Sequence, residues 1–197
     1  MPRPATISTE HILDVARREF LSRGYGVSTA HIAVEAGISE GTIYKRFETK
    51  DALFPASMGL PDMGFVDDWA SLVGTQTPEE NLRFMGERLL TAYREMLPCL
   101  MMLWSSSNAD PMEVMKRTPE PPPVRVLVAA RNYLAGEVAL GRLKATDPEA
   151  ATRMFLGSIM NYVFFETIGQ VSQGAADEGP HYVGRVVDTL LGGIGPL

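Results

Sequence analysis

The chain has 197 residues, of which 45% are hydrophobic and 21% charged, so it can bury a core and is not predicted to be disordered. The single cysteine, Cys99, excludes an internal disulfide framework, and the three scattered histidines give no clustered metal ligands, so we predict no metal and no cofactor. The net charge of −6 argues against a protein that coats nucleic acid over its whole surface.

Two further features concern where the chain acts and how it is divided. No apolar run reaches the roughly 18 residues of a membrane span, and the N-terminus lacks the apolar region of a signal peptide. A cytoplasmic protein without a membrane partner is therefore expected. Residues 1–50 carry seven Lys and Arg against six Asp and Glu, whereas the rest of the chain carries eleven against eighteen. This asymmetry predicts two parts with different roles.

Apolar residues recur at helical spacing throughout the chain and strand signals are weak, so an all-α protein is predicted. Residues that favour helix N-caps precede the first four helical patterns: Ser8, Ser28, Ser39 and Thr49. Gly24 and Gly37 are expected to end the first two helices, because glycine adopts the left-handed conformation that follows a helix at little cost. Pro55 falls inside the fourth helix, where it removes a backbone donor and should produce a kink.

The pattern beyond the fourth helix predicts a mixture of helices and loops. Residues 62–76 fit a short or irregular helix. A longer helix begins at Thr77 and is expected to end near Pro98, before a short apolar segment. Residues 105–123 contain five prolines, so they predict a mostly irregular and mobile segment with one helical turn near Met112–Lys116.

Three more helices are predicted towards the C-terminus. The first covers about residues 123–142, the second begins with Asp147 as its N-cap, and the third covers about residues 180–191. The second of these helices is apolar on nearly every side. It is therefore expected to be covered on every side.

The stretch 28–50 carries the strongest functional signal. Two short helices joined by the residues Ala-Gly-Ile-Ser are typical of a helix-turn-helix. Gly41 and Thr42 leave the exposed face of the second of these helices slim enough to enter a major groove about 12 Å wide. Tyr44 can donate a hydrogen bond to a phosphate, and Lys50 lies at the positive start of the fourth helix. Two more cations lie on the same helix as Tyr44: Lys45 and Arg46.

Each of these residues also has a purely structural interpretation. Tyr44 can be interpreted as an aromatic residue at the edge of the core, and Thr42 as an ordinary residue of a helix surface. The cations fit a solvated face. The ordered set, rather than any single residue, therefore predicts DNA binding.

The run from Gly24 to Phe54 resembles the DNA-binding domain of the TetR family of transcriptional repressors; it reads GYGVSTAHIAVEAGISEGTIYKRFETKDALF. The resemblance covers residues 8–54, where many positions agree at fixed spacing without a gap. It implies an all-α homodimer. An N-terminal three-helix helix-turn-helix domain, residues 1–54, would be joined by a linker helix to a C-terminal helical ligand-binding and dimerisation domain, residues 55–197.

The resemblance also implies which residues contact a DNA operator. Six positions match those at which family members commonly touch double-stranded DNA: Ser28, Ser39, Thr42, Tyr44, Lys45 and Lys50. Together with Gly41 and Arg46 they form the predicted DNA site. Tyr44 and Lys50 are the strongest candidates for phosphate contacts.

Three features depart from the family's pattern: Glu40, the pair Ala30 and His31, and Pro55 in the linker helix. Glu40 is acidic where many members have a basic or neutral residue, so it should either repel a phosphate or accept a hydrogen bond from a cytosine amino group. Ala30 and His31 replace a pair that is commonly acidic or polar. His31 is better interpreted as a surface helix residue than as a base reader.

The C-terminal part is expected to bind a small-molecule effector. Such pockets are mostly apolar with a few polar groups, and eight residues are candidates to line one: Phe65, Trp69, Tyr93, Met96, Met101, Trp104, Asn161 and Phe165. Plain core packing is the alternative for each of them. Glu166 lies in an apolar stretch and should pair with an arginine or meet a cationic ligand. Cys99 fits a small buried hydrophobe better than a redox sensor, since no basic residue adjoins it.

The last two helices are predicted to pair two chains. Their apolar faces predict a four-helix dimer interface formed by Phe155, Ile159, Val183, Val186, Val187 and Leu190. The whole pattern predicts a ligand-responsive regulator, a repressor that binds a palindromic operator and is released by a largely apolar effector. The alternative is a ligand-independent DNA-binding dimer with a structural C-terminal domain. Catalytic motifs are missing, so no catalytic residue is predicted.

Overall fold

The computed structural model describes residues 7–59, 63–106, 121–144, 147–169 and 178–193. In these ranges the regular structure is helical, which confirms the predicted all-α class. Eight α-helices and one 3₁₀ helix occur there: α1 (Thr9–Arg23), α2 (Thr29–Glu35), α3 (Glu40–Phe47), α4 (Lys50–Ser57), the 3₁₀ helix (Gly64–Leu72), α5 (Pro78–Ser105), α6 (Pro122–Ala139), α7 (Pro148–Thr167) and α8 (Glu178–Gly192). The helical turn predicted at Met112–Lys116 lies outside the described residues.

The chain divides into two compact units, of which the first comprises Met1–Leu60 and Pro98–Pro119. All four predicted N-caps of this unit are confirmed. The side-chain oxygens of Ser8, Ser28, Ser39 and Thr49 accept hydrogen bonds from backbone N–H groups three residues later, at 3.0–3.2 Å. The turns that follow α1 and α2 also form as predicted, and in them Gly24 and Gly37 have positive φ values of 75° and 68°.

The core of the first unit lies where α1 packs on α2 and α4, and where α3 packs on the same two helices. Three aromatic rings meet there, since Phe54 makes edge contacts with Phe20 and Tyr25 at centroid distances of 5.0 Å. Arg17 of α1 donates to the carbonyl oxygens of Ser57 and Gly59 at 2.8 and 3.3 Å. These bonds satisfy acceptors that the end of α4 leaves free.

The predicted end of the fifth α-helix near Pro98 is wrong, because α5 continues to Ser105 with Pro98 inside it. Proline removes one backbone hydrogen bond from a helix. Beyond it, however, Cys99 and Leu103 are buried in the core of the first unit. Burial of a leucine side chain contributes about 1.5–3 kcal/mol, which offsets the lost hydrogen bond. The interpretation of Cys99 as a small buried residue is confirmed.

The second compact unit comprises Pro61–Leu97 and Glu120–Leu197. In it the 3₁₀ helix runs parallel to α6: Asp67 pairs with Arg125, and further along Gly74 N–H donates to Glu137 Oε1 at 2.9 Å. A Cβ on Gly136 would lie 2.8 Å from both methyl groups of Val73. The two segments therefore approach as closely as they do because residue 136 has no side chain.

The N-terminal part of α5 packs against α7 and α8 within the same unit. A Cβ on Gly86 would lie 2.4 Å from Val183 Cγ1 and 3.4 Å from both Ile159 Cδ1 and Phe155 Cζ. The glycine thus lets α5 sit directly on the apolar faces of the last two helices. The predicted N-cap of α7 is confirmed, since Asp147 Oδ1 accepts from the N–H groups of Glu149 and Ala150.

Candidate functional site

The helices α2 and α3 form the candidate reading unit for DNA. Ile38 N–H donates to Ala33 O at 2.9 Å across the turn, and Ile43 is fully buried beneath α3. The opposite face of α3 reaches the surface because a helix separates residues by 100°. Five of the predicted DNA-contacting residues lie at this surface or at the start of α2, exposed or half-buried: Ser28, Ser39, Gly41, Thr42 and Lys45.

The middle of the exposed face is shallow. A Cβ built on Gly41 would meet only Ser39 Oγ, at 3.9 Å, so the space above the helix is open. Ser39 Oγ also accepts from Thr42 N–H at 3.2 Å and lies 2.9 Å from Thr42 Oγ1. The capping bond thereby fixes the two hydroxyl groups that flank the glycine.

Tyr44 is 42% exposed, and its hydroxyl belongs to a chain of three side chains. The Tyr44 hydroxyl lies 2.9 Å from Thr29 Oγ1, which in turn lies 2.6 Å from Glu40 Oε1. An ionised carboxylate only accepts hydrogen bonds, so Thr29 donates to Glu40 and Tyr44 donates to Thr29. To donate to a phosphate, the phenolic proton has to turn away from Thr29.

Thr29 is a residue of this site that the sequence did not reveal. It is 5% exposed and lies in the first turn of α2, directly after the Ser28 N-cap. A residue at this position carries no sequence motif that would mark it as part of a binding site. Its contacts lie 11 and 15 residues further along the chain. Only the packing of α2 against α3 brings the three side chains together.

Lys50 lies in the first turn of α4, and its ammonium group is held over an aromatic ring. Nζ stands 4.4 Å from the centroid of Tyr25, whose hydroxyl donates to Asp51. A cation over a ring is attracted by about 0.5–1 kcal/mol at an exposed site. The positive charge is therefore kept at the start of α4 rather than left free in solvent.

Arg46 is half-buried and turns towards the start of α1, so its contact with DNA stays a prediction. Its Nη2 donates to Ile7 O at 2.6 Å, and Nη1 is buried without a hydrogen-bond partner among the described residues. The reason is helical geometry, because Arg46 lies three residues after the buried Ile43 and shares its face. Arg46 ties α3 to the residue before the cap of α1.

His31 faces α1 rather than the surface of the reading unit. Its Nε2 lies 2.9 Å from Glu19 Oε2, and the same carboxylate oxygen accepts from Arg23 Nε at 2.9 Å. Burial raises the pKa of Glu19, but the hydrogen bonds from His31 and Arg23 outweigh burial and lower the pKa below its usual value. This contact supports a structural role for His31, as expected from the sequence.

The eight predicted ligand-lining residues do not form one group. Met101 and Trp104 belong to the first compact unit, and the other six belong to the second. Within the second unit, Trp69, Tyr93 and Met96 are buried, whereas Asn161 and Phe165 are exposed. Phe65 is half-buried and makes an edge contact with Trp69 at 5.9 Å between centroids.

The predicted dimer residues divide into two sets. Four are fully buried within one chain and so form core rather than an exposed interface: Phe155, Ile159, Val183 and Val187. Gly86 of α5 lies against the first three of them. Val186 and Leu190 are half-buried, and together with the exposed Met154 they line a surface groove of about 340 Å³ between α7 and α8. The all-round apolarity of α7 therefore leaves one side uncovered in a single chain.

Three further expectations concern charges, metals and membranes. Glu166 pairs with Arg94 through two hydrogen bonds of 2.8 and 2.7 Å, which confirms the predicted arginine partner, although Glu166 is not buried. Among the described residues, no three His, Cys, Asp or Glu side chains are grouped as metal ligands. None of the helices in the described ranges has the length and apolar character needed to cross a membrane.

Two family models match the chain. One, described as bacterial regulatory proteins of the tetR family, matches residues 12–56, which include α2 and α3. The other, described as the C-terminal domain of AefR-like transcriptional repressors, matches residues 80–193 and so covers more than half of the chain. No curated protein sequence matches this chain.

Solved structures with the same fold are distant in sequence. FadR of Bacillus subtilis, in complex with stearoyl-CoA, is 18% identical with a TM-score of 0.67, over 95% of this chain and 100% of that one. PfmR of Thermus thermophilus is 20% identical with a TM-score of 0.66, over 94% and 99%. The triclosan complex of SmeT, the repressor of the Stenotrophomonas maltophilia efflux pump SmeDEF, is 20% identical with a TM-score of 0.65, over 93% and 89%. With its helix-turn-helix and its matching C-terminal domain, this chain belongs to the TetR family of transcriptional regulators.

Proposed function

We propose that this protein is a ligand-responsive repressor that acts in the cytoplasm, with residues 1–54 binding DNA and residues 55–197 binding an effector and pairing two chains. The observation that carries the proposal is the open face of α3. Its flanking hydroxyl groups are fixed by the Ser39 cap, and Gly41 leaves room above the helix. A helix with this surface can approach the edges of the bases in a major groove.

The proposed mechanism is a change in the spacing of two reading helices. Both half-sites of a palindromic operator are bound at once only if these helices lie roughly 34–36 Å apart, one turn of DNA. An effector that binds better to a dimer with another spacing releases the operator. The size of this response is limited by the difference between the effector's affinities for the two states.

We propose a largely apolar effector of moderate size. Ten of the eleven methionines lie at or beyond Met58, and methionine suits surfaces that adapt to several ligands. The indole N–H of Trp69 is buried without an acceptor among the described residues. An effector oxygen in contact with it would relieve a cost of about 1–3 kcal/mol. The neighbours FadR and SmeT were solved with stearoyl-CoA and triclosan, both of which have a large apolar part.

Selection of bound duplexes from a random pool tests the DNA-binding proposal. We expect a palindromic consensus, with two chains bound to each duplex in sedimentation experiments. Lys45→Glu places a negative charge on the exposed face of α3 and should abolish the enrichment. Lys144→Glu makes the same change in the second unit and should not. A protein that enriches no sequence in dilute salt, with effectors removed, would contradict the proposal.

The second candidate is a ligand-independent DNA-binding dimer with a structural C-terminal domain. It is favoured by the division of the predicted ligand-lining residues between buried, exposed and first-unit positions. Thermal shift and operator release, measured with a panel of acyl and aromatic compounds, separate the two candidates. An effector must raise the melting temperature and release the operator. If only small polar metabolites stabilise the protein, the effector is not apolar.

A further inference from the structure

The position of Glu40 on α3 calls for a physical explanation. Its carboxylate lies in the first turn of the proposed reading helix, where residues usually contact base edges, yet the phosphates of DNA repel a negative charge. Glu40 is half-buried, and Oε1 accepts a hydrogen bond from Thr29 at 2.6 Å, which favours one orientation of the carboxylate. A carboxylate held at a fixed position beside the bases can accept a hydrogen bond from a base amino group, and this would offset its repulsion by the phosphates.

Thr29 fixes the geometry of this acceptor. It is 5% exposed, and its branched side chain has few alternative rotamers at that site. Its hydroxyl joins the Tyr44 hydroxyl to the carboxylate in one direction, from Tyr44 to Thr29 to Glu40. An ionised carboxylate offers about four lone-pair sites, so after the bond from Thr29 the Glu40 carboxylate can still accept from a ligand.

The major groove offers a carboxylate two kinds of donor, the N4 amino group of cytosine and the N6 amino group of adenine. In adenine the neighbouring N7 is an acceptor and repels a carboxylate, whereas cytosine has no acceptor beside N4. We propose that Glu40 is a specificity-determining residue that accepts from a cytosine amino group in each half-site. Thr29 is the positioning residue, because its hydroxyl contacts both this carboxylate and the Tyr44 hydroxyl and so fixes their relative positions. The inference rests on the proposed DNA-binding function.

The experiment is selection from a random duplex pool with the full-length chain and three variants. The wild type should fix one cytosine in each half-site. Glu40→Gln should change the preference at that position from cytosine towards adenine by about tenfold or more, because an amide both donates and accepts. Thr29→Val, which keeps the shape but loses the hydroxyl, should relax the same position. Thr29→Ser keeps the hydroxyl and should retain the preference.

The possible outcomes separate this inference from the function on which it rests. A uniform gain in affinity for Glu40→Gln, with an unchanged consensus, would show that Glu40 acts by repulsion alone and would overturn the proposal. If Thr29→Val and Thr29→Ser change the cytosine preference equally and both unfold normally on heating, the Thr29 hydroxyl does not position Glu40. If the wild type selects no sequence at all, it is the DNA-binding function that fails.

Discussion

The folding of α3 and its proposed approach to DNA place different demands on position 41, which is a glycine. Glycine inside a helix costs about 0.5–1 kcal/mol relative to alanine, and a Cβ at this position would meet only Ser39 Oγ at 3.9 Å. Folding therefore does not require glycine at position 41. The proposed contact with the groove does require it, because a side chain there would stand between the helix and the bases.

We expect Gly41→Ala and Gly41→Leu to raise the free energy of unfolding by about 0.5–1 kcal/mol, since both residues favour helix. DNA binding should weaken in the order of side-chain size, by roughly tenfold for alanine, which corresponds to about 1.4 kcal/mol. Denaturant unfolding and anisotropy titrations on a selected operator measure the two effects. Full affinity in Gly41→Leu would show that α3 does not enter the groove.

Lys50 tests the proposed contact with the DNA backbone. Each phosphate neutralised contributes about −0.9 to the slope of log affinity against log salt. Lys50→Ala should therefore reduce the slope by about one for each bound protomer, on any sequence. Lys144→Ala removes the same charge from the second unit and should leave the slope unchanged. Identical slopes for the wild type and Lys50→Ala would show that Lys50 makes no phosphate contact.

Element boundaries were predictable where local chemistry decides them. The caps at Ser8, Ser28 and Ser39 need only a hydroxyl and an N–H three residues away, so the sequence is enough. The continuation of α5 through Pro98 was not predictable, because it depends on the burial of Leu103 in a core formed by the first helices. Periodicity identifies an apolar face but not the element that covers it.

The same limit applies to the candidate site. The exposed face of α3 follows from the helical spacing around Ile43, and this spacing also explains why Arg46 turns inward. The contact from Thr29 to Glu40 and Tyr44 depends on how two helices pack, which no local pattern encodes. Phe155 and Val183 were assigned to an interface for the same reason, since only the structure shows that α5 lies over them.

The packing of α6 leads to a prediction on pH dependence. The Tyr133 hydroxyl is fully buried, and burial raises the pKa of Tyr133 to about 12. The unfolded chain loses this proton first, near pH 10, so stability should be constant below pH 10 and fall as the pH rises towards 12. Burial also raises the pKa of Tyr93, which acts in the same direction.

We expect Tyr133→Phe to remove part of this alkaline loss, up to roughly 2 kcal/mol between pH 10 and pH 12. Near pH 8 the two proteins should differ in stability by no more than about 1 kcal/mol, because the buried Tyr133 hydroxyl makes no well-aligned hydrogen bond among the described residues. Denaturant unfolding at a series of pH values measures both effects. Parallel stability curves for the two proteins would show that Tyr133 does not titrate as proposed.

At the scale of the whole molecule, the proposed dimer depends on the side of α7 that a single chain leaves uncovered. Met154 is 58% exposed and lines the groove between α7 and α8 together with Val186 and Leu190. A second copy of the chain placed on this groove would remove these apolar side chains from water. Two reading helices would then be joined in one molecule, as a palindromic operator requires.

Met154→Glu should therefore weaken self-association by at least about 100-fold, because moving a carboxylate from water into an apolar interface costs several kcal/mol. The fold of the single chain should persist, since the side chain is exposed there. Val124→Glu is the matched control: Val124 is 51% exposed on α6 in the same unit, and the change should leave the dimer intact. Sedimentation at micromolar concentration measures the association, and operator titrations should show weaker binding only for Met154→Glu. If both variants sediment as the wild type does and bind the operator equally well, the two chains pair through another surface.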